Sequence, residues 1–408
     1  MLIEFTVGNF RSFNAPVILS MVAAKIKARN ETVNENNTIV IDEKWTLLTS
    51  AAIYGANASG KSNLIKALAF MRSFVLNSSK ETRANEKINV VPFQLNTESE
   101  KLPSLFQVVF MVDQVVYRYG FEVDCERVVT EWLFYSPHRQ EVKLFVREED
   151  EFRVSRAFKG GNITKKLTRP NALLLSVAAQ FNNELAIKLL AWFEALRLIS
   201  GLDDADYGAY TVRKFSEDER YRAEILGIIR RSAVGIKDVI PGKEGIASFK
   251  TAHTHWDGDE KSESDTLFNF GDESEGTQKL FFISGPIVDA LLNGTVLIID
   301  EIEARFHPHL TRSLVQLFNS KATNPKQAQL IFATHDTHLL SNKFFRRDQI
   351  WFIDKDRQGH SYLYSLAEIK VRNDASFEND YLQDHYGAIP YLGEMRQIVL
   401  DENGKELK

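Results

Sequence analysis

Gly55-Ala56-Asn57-Ala58-Ser59-Gly60-Lys61-Ser62 has the spacing G-x-x-x-x-G-K-[ST], the pattern of a loop that wraps a polyphosphate. Backbone N–H groups of such a loop, and of the helix opening at Asn63, converge on one point, where the helix dipole adds partial positive charge. The glycines let the backbone approach the phosphate without side chains in the way. Lys61 is placed to reach the terminal phosphates and Ser62 to hold Mg²⁺. A second group closes the apolar run Val296-Leu297-Ile298-Ile299, where Asp300 and Glu301 follow in sequence. Asp300 suits the Mg²⁺ shell, and Glu301 suits a general base that polarises the attacking water. A third is His335, at the end of Leu330-Ile331-Phe332-Ala333-Thr334, where an imidazole can donate a hydrogen bond to a γ-phosphate. In Asp272-Glu273-Ser274-Glu275-Gly276-Thr277-Gln278, Ser274 and Gly276 open another helix and form a second anion-directed terminus. Taken together, these residues imply ATP and Mg²⁺ as ligands and hydrolysis as the reaction.

Such groups work only if strands deliver them to one edge of a sheet. Residues 47–54 read as a buried strand before the loop, and a helix continues to about Asn77. From Thr277 the sequence alternates: helix 277–292, strand 295–299, helix 309–321, strand 328–333, short helix 336–341, strand 349–353 and strand 361–365. That alternation predicts a parallel sheet covered by helices. Upstream, strands 2–7 and 17–21 flank Asn9-Phe10-Arg11-Ser12-Phe13, and residues 30–45 read as a loop or weak hairpin. The runs 105–112 and 115–123, joined by Asp113-Gln114, predict an antiparallel hairpin, and 128–135 follows as a strand. Helical spacing covers 183–199 and 216–232. Residues 78–86 read as a charged loop, and the histidine- and acid-rich stretch 252–265 as a mobile one.

With 408 residues, 44% hydrophobic and 26% charged, the chain has the composition of a globular protein of two lobes, or of one domain with a large insertion. No apolar run is long enough to cross a bilayer and the amino terminus has no secretory pattern, so the expected location is cytoplasmic, with Cys125 a spectator thiol. A net charge of −5 argues against a whole-chain nucleic-acid binder. The charge is uneven, however: Arg153, Arg156, Lys159, Lys165, Lys166 and Arg169 fall in a stretch without acids. Arg220, Arg222, Arg230, Arg231 and Lys237 form a second cluster that acids interrupt. Either is a solvated face or a docking surface for a protein or DNA trigger.

The order phosphate loop, Ser-x-Gly-Thr-Gln, Asp-Glu, Thr-His resembles the ATP-binding-cassette ATPases of the Rad50 and chromosome-maintenance type. It is closer to the AAA15/AAA21-type ATPases related to the OLD family. Asn9 to Phe13, Asp300-Glu301-Ile302-Glu303-Ala304-Arg305-Phe306-His307-Pro308, Thr334-His335-Asp336, Gln349-Ile350-Trp351-Phe352 and Tyr386-Gly387-Ala388-Ile389-Pro390 carry the likeness. It implies an α/β fold: an ABC-type P-loop ATPase head with a mixed β-sheet, an antiparallel β subdomain and an inserted, mainly helical region. The corresponding divisions are 1–130, an insertion 131–265, 266–370 for the rest of the core and a carboxy-terminal extension 371–408. The resemblance further implies Gly55 to Asn63, Arg11, Ser274 and Gly276 at the nucleotide, Ser62, Asp300 and Gln94 at the metal, and Lys61, Glu301 and His335 in hydrolysis. Glu273 and Glu275 stand where a transporter signature has leucine and glycine.

A second anion site in a chain that already has a P-loop points to a head-to-tail homodimer or higher oligomer, with Ser274 of one copy capping the other copy's ATP. Relatives of this kind include ATPase subunits of bacterial anti-phage systems (AbiL, RloA and the AriA of PARIS), which implies a separate effector, a nuclease or toxin, in trans. A DNA-repair ATPase of the Rad50 or recombination-F type and a slowly hydrolysing scaffold are the alternatives. Asp354 and Asp356 invite a Toprim reading, but too little chain follows for that domain, and a hairpin turn accounts for them better. His253 with His255, and His307 with His309, lack the third ligand that zinc needs.

Overall fold

The computed structural model describes residues 1–80, 86–137, 140–232, 235–242, 245–258, 260–371 and 375–389. Most of the charged loop expected after Ser78, Pro390 and the rest of the carboxy-terminal extension lie outside the described residues. Six strands form the central sheet, in spatial order Arg197–Ser200, Val296–Asp300, Gln329–Ala333, Ser50–Tyr54, Ile350–Lys355 and Ser361–Ser365. The first five run parallel and the last is antiparallel, so the sheet is mixed as expected.

The inner strands Val296–Asp300, Gln329–Ala333, Ser50–Tyr54 and Ile350–Lys355 are mostly apolar because both of their faces are covered, whereas the edge strands Arg197–Ser200 and Ser361–Ser365 carry polar side chains. On one face Ile53, Ile298, Ile331 and Ile353 join Leu64, Leu68, Met71 and Val75 of the P-loop helix Lys61–Asn77. On the other, Leu297, Ile299, Leu330, Phe332 and Phe352 meet Leu280, Phe281 and Ile287 of helix Glu275–Asn293 and Leu314 of helix Pro308–Phe318. Period-two alternation along each strand does this sorting. Every such side chain fully removed from water stabilises the fold by about 1.5–3 kcal/mol before entropy is counted.

Seven antiparallel strands make the second sheet: Glu151–Val154, Val142–Glu148, Val128–Ser136, Val115–Val123, Ser104–Val112, Leu2–Gly8 and Val17–Ser20. Asp113 and Gln114 take positive φ and turn the expected hairpin. Gln329 ties the two sheets together: Leu2 N–H donates to its Oε1 at 2.7 Å, and its Nε2 donates to Leu2 O at 3.0 Å. The sheet continues past residue 130 to Val154, and helices Gly161–Thr164, Leu174–Gln180, Glu184–Ala195, Ala205–Glu217 and Glu219–Arg231 follow.

Three expectations need correction. The span 183–199 is a helix only to Ala195; Arg197–Ser200 is a strand beside Val296–Asp300, too short to show a period of its own. The stretch 252–265 is no mobile loop, because Lys250–Asp257 pairs antiparallel with Glu260–Asn269 around Gly258 (φ 62°). Strand Ile236–Ile240 pairs on its other side. Polar side chains disguised this half-exposed sheet. The polar stretch 30–45, finally, contains helix Glu31–Asn36 before the hairpin Thr38–Val40 and Thr46–Leu48.

Candidate ATP site

Backbone proximity, more than turn propensity, explains the glycines of the loop. A Cβ on Gly55 would sit 2.3 Å from Ile353 O on the adjacent strand. One on Gly60, whose φ is 122°, would sit 2.5 Å from Ser361 Oγ and 2.8 Å from Ser12 Oγ. Those serines brace the loop from outside. Ser361 Oγ donates to Ser59 O at 2.5 Å, Ser361 N–H donates to Ser12 O at 2.8 Å, and Asn63 Nδ2 donates to Ser12 Oγ at 2.9 Å. Neither serine was singled out from sequence; Ser12 lay within a quoted motif, and Ser361 had no local signal.

Lys61 Nζ donates to Gly55 O at 2.7 Å and Ala56 O at 3.0 Å, so the ammonium lies folded over the loop. Burial lowers its pKa to about 8, while the carboxylates of Asp300, Glu303 and Glu301 oppose the shift. Those acids reach Lys61 because their strand lies two places from the loop's strand, both with carboxyl ends on the same edge. Asp300 Oδ1 is buried with no hydrogen-bond partner among the described residues, as are Ser59 Oγ and Glu303 Oε2. Unpaired buried oxygens are costly, and a hard cation that favours oxygen ligands would satisfy them. Oxygen donors of this kind fit a hard divalent cation such as Mg²⁺. Among the described residues no group of three or more His, Cys, Asp or Glu side chains is placed to hold a metal ion.

Glu301 adopts φ 55° at the strand's end. Beside it, Gly201 N–H donates to Asp300 O at 2.6 Å, and a Cβ on Gly201 would fall 1.9 Å from Glu301 O. Gly201 is thus part of the wall that holds the acids, and sequence inspection missed it.

His335 ends the strand lying between those of Asp300 and the P-loop. Its N–H donates to Glu303 Oε1 at 2.6 Å. Partial burial lowers the imidazole pKa first and the Lys61 charge second, with the three acids acting the other way. The ring is accordingly neutral at pH 7 and able to donate one hydrogen bond. Next to it, Asp336 O accepts from Tyr54 Oη at 3.3 Å, and burial with Asp336 nearby holds the Tyr54 pKa well above the usual phenol value.

Ser274 caps its helix, its Oγ accepting from Thr277 N–H at 3.2 Å. A Cβ on Gly276 would lie 3.1 Å from Arg305 O, so this helix start packs on the loop that follows Asp300-Glu301. Lys279, fully buried, donates to Ala304 O and lies over Phe306 at 4.4 Å; burial and Arg305 lower its pKa to about 8. Arg305 reaches Glu275 at 3.6 Å and Asp204 at 3.5 Å, while Glu273 is held by Thr251 and by His253 at 2.7 Å. Among the described residues none of these contacts joins 274–278 to the P-loop.

Arg11 (φ 51°) is exposed, 5.5 Å from the Phe10 ring centroid, and lines a cleft with Lys66 and Lys87 along the P-loop helix. Its neighbour Ser12, and not Arg11, touches the loop. Gln94 is exposed on a segment whose Val91 O accepts from Arg11 N–H and whose Phe93 N–H donates to Asn9 Oδ1. Asp356 closes a hairpin, accepting from Gln358 and His360 N–H at 2.9 Å each. His307 caps its helix with His309 stacked upon it, and His255 pairs with Thr266.

Phosphate loop, acids and histidine on neighbouring parallel strands, with an antiparallel sheet on the loop's helix, define an ABC-type P-loop ATPase head. The chain belongs to the AAA_21 family, described as "AAA domain, putative AbiEii toxin, Type IV TA system", whose profile matches residues 50–341. Among curated proteins none matches it. The SMC head domain from Thermotoga maritima is similar at 12% identity and TM-score 0.41, with 91% of this chain and 99% of that one covered. An SmcHead bound to the C-winged helix domain of ScpA is similar at 14% identity and TM-score 0.48, over 89% and 97%. The Smc head domain with an extended coiled coil from Pyrococcus furiosus gives 14% and 0.39 over 89% and 96%, so the likeness to all three is loose. No helix among the described residues is long and apolar enough to cross a membrane.

Proposed function

We propose that this chain is a Mg²⁺-dependent ATPase whose ATP-driven pairing of two copies holds or releases a separate effector in a bacterial anti-phage, abortive-infection system. The observation that carries the ATPase reading is the meeting of Lys61, Asp300, Glu301 and His335 at one sheet edge, with Asp300 Oδ1 buried and unpaired. The loop N–H groups and Lys61 bind the β- and γ-phosphates. Mg²⁺, when bound, neutralises phosphate charge and fixes the geometry for in-line attack. Glu301 accepts the proton of the attacking water, and neutral His335 donates to a γ-phosphate oxygen, positioned through the Glu303 bond to its N–H. Departure of the cleaved phosphate, after hydrolysis, removes that oxygen's charge from the edge and releases the closed state.

Dimeric pairing is supported by the helix start at Ser274, whose contacts run to the acid loop and not to its own P-loop. Membership of a family described as a putative AbiEii toxin of a type IV toxin–antitoxin system supports a cytoplasmic defence role with a nuclease or toxin partner in trans. A clamp with a long coiled-coil arm is disfavoured, because the longest helices described between residues 131 and 265 have 13 residues. A mixing assay tests the pairing. Ser274→Arg and Lys61→Ala each abolish ATPase activity alone, and an equimolar mixture recovers part of it because one composite site then carries neither defect. A mixture with no recovery points to a self-contained monomer site.

A further inference from the structure

The six basic residues between 153 and 169 are not equivalent. Arg153 pairs with Glu148 at 3.0 Å, and Arg169 Nη2 donates to Ser78 O and Ser79 O at 3.4 Å each. Among the described residues Arg156, Lys159, Lys165 and Lys166 form no ion pair, and the sequence has no acid from Phe152 to Asn183. Between these cations stand Ile163, 70% exposed, and Leu167, 48% exposed, one helical turn apart. Phe181 is 56% exposed nearby, since Asn183 Nδ2 donates to Lys159 O at 2.5 Å.

This turn is built firmly. Phe158 is buried against Phe145, and a Cβ on Gly161 would lie 2.5 Å from the Phe158 ring. Below it, fully buried Arg147 donates to Ala172 O at 2.7 Å and Pro170 O at 3.1 Å, and Glu131 accepts from Leu174 N–H at 2.7 Å. Leu173 N–H donates to Ser78 Oγ and Ser79 N–H to Ser176 Oγ, so the platform is fastened to the far end of the P-loop helix.

We propose that Ile163 and Leu167, with Arg156, Lys159, Lys165 and Lys166 beside them in the same acid-free segment, form a docking surface for an acidic, amphipathic segment of a partner protein. Charge complementarity fixes the sign of the partner, and the apolar pair fixes its class. A phosphate backbone takes cations and hydrogen-bond donors and gains nothing from an isoleucine and a leucine at the centre. A membrane surface needs a long amphipathic face, whereas helix Gly161–Thr164 has four residues. Apolar chains exposed inside a polar rim are the anatomy of a protein interface. Docking there loads the carboxyl end of the helix whose amino end carries the P-loop, a physical path between partner and nucleotide. The surface itself does not depend on the ATPase reading.

The test uses the full chain and a labelled 15-residue peptide of alternating acidic and leucine or phenylalanine residues, followed by fluorescence anisotropy. Ile163→Ser with Leu167→Ser, and separately Arg156→Glu with Lys166→Glu, should each weaken binding by about tenfold or more, with the melting temperature unchanged because all four side chains are exposed. No binding by the parent chain, or equal binding by parent and Ile163/Leu167 variant, overturns the proposal. A 30-base-pair duplex or phosphatidylserine vesicles bound tightly in place of the peptide, with sensitivity to the Arg156/Lys166 pair alone, overturns it in favour of nucleic acid or membrane.

Discussion

Gly201→Ala is the sharpest perturbation of the acid wall, because it adds one methyl against the backbone of Asp300 and Glu301 and removes no side chain. The new Cβ would stand 1.9 Å from Glu301 O, 2.8 Å from Glu301 C and 3.0 Å from Asp300 O. Relief to ordinary contact at 3.4 Å requires about 1.5 Å of movement, the difference between 3.4 and 1.9. No side chain can yield in its place, since all three obstructing atoms are backbone. The strand ends must part, stretching the 2.6 Å bond from Gly201 N–H to Asp300 O and shifting both carboxylates. Misplacement of about 1 Å costs about 100-fold in rate where a group must meet a reacting atom, and overpacking costs about 1–3 kcal/mol of stability. Gly201→Ala should therefore lower kcat about 100-fold while a fluorescent ATP analogue still binds the P-loop, with a modest fall in melting temperature. Turnover, equilibrium binding and circular-dichroism melting separate these effects. Normal kcat in a folded variant would show that the wall does not position Asp300 and Glu301, and equal loss of binding and turnover would show a wider collapse.

Glu301→Gln should retain ATP binding, slow hydrolysis by about two or more orders of magnitude and shift the protein to a closed dimer, visible by light scattering. Hydrolysis at the parent rate would remove Glu301 from the role of base. The Lys61 pKa of about 8, against 10.5 for free lysine, gives a sign for pH. ATP affinity depends on the protonated ammonium, so between pH 7 and pH 9 it should fall by up to about tenfold, and Lys61→Met should flatten the profile. For stability the direction is opposite: the folded form binds fewer protons between about 8 and 10.5, so this residue's penalty is present below pH 8 and is relieved as pH rises through that window. Calorimetry of the parent and Lys61→Met chains checks it.

The parts of the site legible in sequence are those written within one turn or one strand end. Gly55 to Ser62, Asp300-Glu301 and His335 each carry their context beside them, and alternating apolar runs placed all three on parallel strands. Ser12, Gly201 and Ser361 brace the same site from places remote in the chain, each meeting it through a contact of one or two atoms that leaves no period. Glu303 and Lys279 were hidden differently. Glu303 stood in a motif already read for its first two acids, and Lys279 followed a signature whose serine and glycine drew the chemistry. The hairpin Lys250–Asp257 and Glu260–Asn269 escaped because polar side chains cover a backbone that pairs nonetheless. Arg11 and Gln94, which the resemblance assigns to nucleotide and metal, are both exposed, Arg11 beside the Phe10 ring and the cleft along the P-loop helix.

The arrangement of the acid loop has a mechanical meaning. Glu303 bonds the strand end of His335, and the next two residues, Ala304 and Arg305, hold Lys279, Glu275 and Gly276 at the start of the helix capped by Ser274. Five residues, Asp300 to Ala304, thus join the chemistry of one edge to the helix start at Ser274. The buried Lys279 ammonium donates to Ala304 O, so a displacement of the acid loop strains this bond to the Ser274 helix. Breaking it would leave a buried charged group short of an acceptor, which costs more than the loss of a surface contact. That bond couples the Ser274 helix to the acids. If a second copy reads Ser274, it reads the state of the first copy's acids with it.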